Sequence, residues 1–153
     1  MTNPLIDVLL DTGLIQFGMF EQRQPIKFAF ELLPSYPDVL HQLAKRTQEI
    51  ISDLSIEHLL CRADSLPLGL ALGLGMNIPV VYSRGSDNAP VYDLTGAYDV
   101  GHPALLVVNT WQGDKATMDL IAGAKQVGLE IHTVLAILDF QKPAPENIRV
   151  RSL

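Results

Sequence analysis

Groups able to handle a sugar or a base crowd into one short stretch, Asn109-Thr110-Trp111-Gln112-Gly113-Asp114-Lys115-Ala116-Thr117. Asn109 and Thr110 can hydrogen-bond a sugar hydroxyl, and Gln112 can line the same site. Trp111 can stack on a base or pack into a core. A glycine turn entering a helix presents free amides that attract anions. Two readings of this turn stand side by side. Asp114 can cap the helix while Lys115 is solvated, or Lys115, Thr117 and the Gly113 amide can hold an anion.

Other reactive side chains are isolated. Cys61, the single cysteine, follows Leu59-Leu60 and reads as a buried small hydrophobe. His41, His58, His102 and His132 have no metal-ligand spacing, so no metal site is expected. Arg84 suits a surface ion pair as well as a ligand contact. With 11 basic against 17 acidic residues the net charge is −6, and no Lys/Arg run exists, so a nucleic-acid partner is not expected. With 48% hydrophobic and 18% charged residues, the 153-residue chain can fill one domain core. No apolar run is long enough to span a membrane. The opening Met1-Thr2-Asn3-Pro4-Leu5 has no signal-peptide pattern, and a cytoplasmic location is expected.

The elements that must position these groups follow from periodicity. Asn3-Pro4 with Leu5, Ile6, Leu9 and Leu10 reads as a short helix ending near Gly13. Ile15 to Phe20 and Ile26 to Leu33 read as strands around a turn at residues 22–25. Ser35 or Asp38 is expected to cap a helix carrying Leu40, Leu43, Thr47, Ile50 and Leu54. Then come a strand over residues 56–61, an apolar helix over 66–75, a strand over 78–82 and a hairpin or long loop over 84–101. Ala104 to Val108 is a continuous buried run of the kind found in parallel sheets. Asp114 to Val127 is a helix with Gly128 beyond its end, Ile131 to Leu138 is a strand, and residues 142–153 read as a loose extension. This order is α/β: a mainly parallel twisted sheet with helices on both faces. Ligands in such sheets sit beyond the strands' carboxyl ends, here residues 61–66, 83–90 and 109–117.

At those segments the chain resembles the type I phosphoribosyltransferases, and most of all the orotate phosphoribosyltransferases, from about Leu14 to Phe140. The residues that carry the likeness are Ile15 to Phe20, Pro25-Ile26-Lys27-Phe28, Leu32 to Pro37, Leu66-Pro67-Leu68-Gly69-Leu70-Ala71, Ile78 to Arg84, and Ala104 to Gly128. The resemblance implies a single domain over 1–153, with a small hood in residues 1–33, a core in 34–140 and a tail in 141–153. It also implies a homodimer.

The chemical positions depart from the family's pattern. Where the resemblance implies an acidic pair for the ribose hydroxyls, this chain has Asn109 and Thr110. Asp114 stands at the N-terminus of the helix meant for the 5′-phosphate, and Lys115 replaces a glycine. The pyrophosphate loop reads Arg62-Ala63-Asp64-Ser65, and the mobile loop keeps Arg84 but has no lysine or histidine. Arg23 stands in for a family lysine, and Glu31 replaces an arginine. Losing one transition-state electrostatic group costs about 10²–10³ in rate.

The expectation is therefore a phosphoribosyltransferase-like protein without normal transferase activity and without a cofactor, acting as a binding or regulatory module for a nucleobase or nucleotide. Its ligand residues would come from Asn109, Thr110, Trp111, Gln112, Gly113, Lys115, Thr117, Arg84 and Arg23, and no residue is assigned a catalytic role. The alternative is an active orotate phosphoribosyltransferase of pyrimidine biosynthesis using phosphoribosyl pyrophosphate and Mg²⁺. A subunit paired with an active paralogue is a third reading.

Overall fold

The run Ala104 to Val108 needs cover on both sides, and it finds it near the middle of a six-stranded sheet. A computed structural model of the chain describes residues 4–85 and 93–153. The elements in order are α1 (Pro4–Asp11), β1 (Ile15–Phe17), β2 (Ile26–Phe28), α2 (Pro37–Ile50), β3 (His58–Arg62), α3 (Leu66–Met76), β4 (Val80–Ser83), β5 (Leu94–Thr95), β6 (Pro103–Trp111), α4 (Lys115–Gln126), β7 (Glu130–Asp139) and β8 (Arg149–Ser152). The main sheet runs β5-β4-β3-β6-β7-β8. All neighbours in it are parallel except β4 and β5. The expected mainly parallel α/β architecture is what is found.

Strand alternation divides the core into two layers. Leu59, Cys61, Leu105, Val107, Leu135 and Ile137 face one side and pack with Leu5 and Leu9 of α1, Leu43 of α2 and Leu72 of α3. Leu60, Leu106, Val108, Val134 and Ala136 face the other and meet Leu120 and Ala124 of α4. Helix α3 is apolar and tolerates its glycines because it lies almost on the sheet. A Cβ on Gly69 would sit 2.1 Å from Cys61 Sγ, and one on Gly73 would sit 2.6 Å from Val80 Cγ2.

Several elements differ from expectation. The second N-terminal strand stops at Phe28, because residues Phe30–Ser35 wind into a 3-10 turn that buries Phe30 and Leu33, three residues apart. β1 and β2 form an antiparallel pair separate from the main sheet. Neither Ser35 nor Asp38 caps α2. Tyr36 holds that position without a side-chain bond, and Pro37 starts the first turn with its fixed φ. In the 84–101 segment, Leu94 and Thr95 pair with Ser83 and Tyr82; residues 86–92 lie outside the described residues.

The largest difference is the tail. Instead of a loose extension, Arg149–Ser152 forms the edge strand β8, with Val150 opposite Val134 on β7. Arg151 then donates from Nη1 to the Ile50 carbonyl at 2.7 Å and from Nη2 to Asp53 Oδ2 at 2.8 Å, tying the strand to the end of α2. Pro143 and Pro145 break the chain before the strand, not through it.

Candidate functional site

The carboxyl ends of β3 and β6 meet through two short bridges. Ser65 Oγ donates to the Val107 carbonyl at 2.7 Å, and Asn109 Nδ2 donates to the Asp64 carbonyl at 2.8 Å. These bonds hold the Ala63–Ser65 3-10 turn against β6. Arg62, the last residue of β3, is thereby aimed at the start of α4.

What Arg62 reaches is the helix N-terminus itself. Asp114 is the N-cap, with its Oδ2 accepting from the Thr117 amide at 3.2 Å and its Oδ1 from Thr117 Oγ1 at 2.9 Å. Arg62 Nη1 donates to Asp114 Oδ2 at 3.0 Å and to Thr117 Oγ1 at 2.9 Å, while its Nε lies 3.4 Å from Asp64 Oδ1. Burial pushes the Asp114 carboxyl up, but the Thr117 hydrogen bonds and the Arg62 charge outweigh it and hold the group below its ordinary value. The helix end therefore carries its own anion, already neutralised by its own cation. An incoming phosphate would have to displace both.

The expected site residues separate into distinct places. Asn109, Thr110 and Gln112 line a cavity of about 530 Å³ between β2, the Phe30–Ser35 turn and the strand ends. Gln112 Nε2 donates to Thr110 Oγ1 at 3.2 Å. Thr117 is fully buried beneath Arg62. Gly113, at φ +65°, supplies the left-handed turn before the helix, and a Cβ there would meet Lys142. Trp111 does not line the cavity. Its side chain is fully buried in the α4-side core, and its Nε1 donates to the Lys142 carbonyl at 2.8 Å, so it packs rather than stacks on a ligand.

The cations are elsewhere too. Lys115 is 87% exposed and pairs with Asp119 one turn along its own helix, leaving the capped reading of this turn as the observed one. Arg84 Nε lies 3.2 Å from Asp93 Oδ1, a carboxylate only 5% exposed. Arg23 is exposed at φ +58° and is not among the cavity residues. Cys61 is buried as expected, and burial, with a smaller push from Asp64, drives its thiol up to about 12.

Residue-type reasoning missed the other half of the cavity. Lys27, Phe28, Phe30, Glu31, Asp64 and Phe140 join its lining. Phe28 and Phe30 stack at 6.0 Å, and Phe140 meets Phe28 edge-on at 5.7 Å. Phe140 directly follows the carboxyl end of β7, so the rule that ligands sit beyond strand ends, applied to that strand, would have found it.

The groups present do not fit Mg²⁺-assisted chemistry on a ribose pyrophosphate. An amide and a hydroxyl, Asn109 and Thr110, stand at the strand end where a hard cation favours carboxylates. Among the described residues, no three His, Cys, Asp or Glu side chains converge to hold a metal ion. Also among these, no helix is long and apolar enough to cross a membrane.

No protein-family model and no curated protein matches the chain. Solved structures do. The Leishmania donovani UMP synthase structure superposes with a TM-score of 0.83 at 19% identity, covering 97% of this chain and 35% of that one, so the chain spans about a third of that protein's length. Orotate phosphoribosyltransferase from Aeropyrum pernix gives 0.82 at 18% identity, covering 97% of this chain and 91% of that one. The Mycobacterium tuberculosis H37Rv orotate phosphoribosyltransferase, in complex with 5-phospho-α-D-ribosyl 1-diphosphate, gives 0.78 at 15% identity, covering 97% and 92%. Together with the sheet order and the two-faced helical cover, these likenesses assign the chain the type I phosphoribosyltransferase fold.

Proposed function

We propose that this protein uses the phosphoribosyltransferase fold to bind a small ligand of nucleobase size and does not carry out pyrophosphate-dependent ribosyl transfer. The observation that carries the reading is the Arg62–Asp114–Thr117 network, which takes up the Thr117 amide and sets a carboxylate at the helix N-terminus that a 5′-phosphate would need. A carboxylate at that point repels the phosphate, and Arg62 is spent on it. The cavity beside it remains open, with an aromatic wall and a few polar groups, as small-molecule sites have. A base fits this description better than a nucleotide, whose phosphate has no cradle.

Orotate consumption in the presence of phosphoribosyl pyrophosphate and Mg²⁺, followed by absorbance at micromolar enzyme, tests the reading. No turnover above the uncatalysed rate is expected. Turnover would overturn it and favour an active orotate phosphoribosyltransferase.

A further inference from the structure

The cavity's charge and hydrogen-bond chemistry select among small ligands. Its lining has one cation, Lys27, and two carboxylates, Glu31 and Asp64. Arg62 approaches Asp64 but shares its single charge with Asp114. Counting these five groups together leaves the site one negative charge in excess. Glu31 has no ion-pair partner among the described residues.

A second, independent observation comes from Asn109. The side chain is buried, with the residue only 6% exposed, and its Nδ2 is satisfied by the Asp64 carbonyl. Among the described residues its Oδ1 has no hydrogen-bond partner. A buried acceptor left unpaired is unfavourable unless a donor reaches it. Asn109 is one of the residues that line the cavity. The apolar side is aromatic: Phe28 and Phe140 meet edge to face and offer ring surface to a flat ligand.

Acceptors, excess negative charge and aromatic faces converge on one ligand class. We infer that the cavity takes a small planar cation carrying N–H donors, of the amidinium or protonated amino-heterocycle type, in preference to an anionic ring such as orotate. The N–H groups would serve Asn109 Oδ1 and the carboxylates, and the flat cation would lie against the phenylalanine rings. A ring carboxylate would instead face Glu31 and Asp64, with Lys27 alone to offset them. This inference rests on the proposed ligand-binding role and specifies its ligand.

Three probes of nearly one shape isolate the charge: benzamidinium, benzamide and benzoate, titrated calorimetrically into the full chain at low salt. Benzamidinium is expected to bind about tenfold more tightly than benzoate, with benzamide between them. Glu31→Gln, at an exposed position where folding is readily checked by circular dichroism, should shrink that ratio about threefold. Asp64→Asn should shrink it as well. Benzoate binding as tightly as benzamidinium would overturn the inference, as would a ratio unmoved by Glu31→Gln or no binding of any probe at 10 mM, about the weakest range calorimetry resolves. Orotate turnover, by contrast, would overturn the proposed function and leave the charge order standing.

Discussion

Arg62 and Asp114, 52 residues apart in the chain, meet at 3.0 Å across the ends of β3 and α4. The contact turns a helix N-terminus from an open anion site into a closed internal ion pair. It is made possible by Ser65 and Asn109, which fix the turn after β3 against β6.

Removing the cap should expose what it covers. Asp114→Ala deletes the N-cap bonds to Thr117 and is expected to cost about 1 kcal/mol in a urea melt. The same variant frees the Thr117 amide and Arg62 for an external anion. Inorganic phosphate should therefore stabilise Asp114→Ala against urea but leave the wild-type midpoint unchanged. Equal stabilisation of both proteins would mean that the cradle was never closed.

The close approach of α3 to the sheet makes a packing prediction. Gly73→Ala gains helix propensity, but its Cβ would lie 2.8 Å from the Ile78 carbonyl oxygen, so a net loss of about 1–3 kcal/mol is expected. Gly69→Ala should lose a similar amount through its clash with Cys61 Sγ. Adding Cys61→Ala removes that sulfur, so the double variant should be more stable than the two single costs added together. Additive losses would argue against the contact.

Two ion pairs set opposite pH limits. The Asp114 carboxyl is held below its ordinary value, so its contribution is complete above about pH 4 and fades as pH falls through the lower folded value. His102 is shifted the other way: its hydrogen bond to Glu57 raises it above 6.5, against a smaller effect of burial. That contribution is full below pH 6.5 and is lost as pH rises through the raised folded value. His102→Gln should therefore lower the urea midpoint at about pH 5.5 and leave it unchanged at about pH 9. A difference that grows with pH would have the wrong sign.

The edge strand should matter more than its sequence suggests. Deleting residues 149–153 uncovers β7 and removes both Arg151 bonds to the end of α2. A lower melting temperature is expected, with a larger drop than for Arg151→Met, which keeps the strand pairing. Equal drops would place the whole effect in the arginine.

These features were not equally legible in the chain. Ala104 to Val108 declares a buried parallel strand because every residue in it is apolar, and the structure covers both of its faces. Arg-Val-Arg-Ser declares nothing: an edge strand has one partner, Val150 alone supplies an aliphatic side chain, and the backbone pairing that defines it leaves no trace in residue type. Asp114 as a cap was visible from its place before the helix, whereas Arg62 as its partner was not, since nothing local links residues so far apart. Trp111 carried two meanings until its indole was seen pointing into the core toward Lys142.

The closed cradle is tested most directly by calorimetric titration of phosphoribosyl pyrophosphate with Mg²⁺ into the wild-type chain. No saturable binding is expected below about 1 mM. A micromolar dissociation constant, with Asp114 and Arg62 intact, would contradict the account.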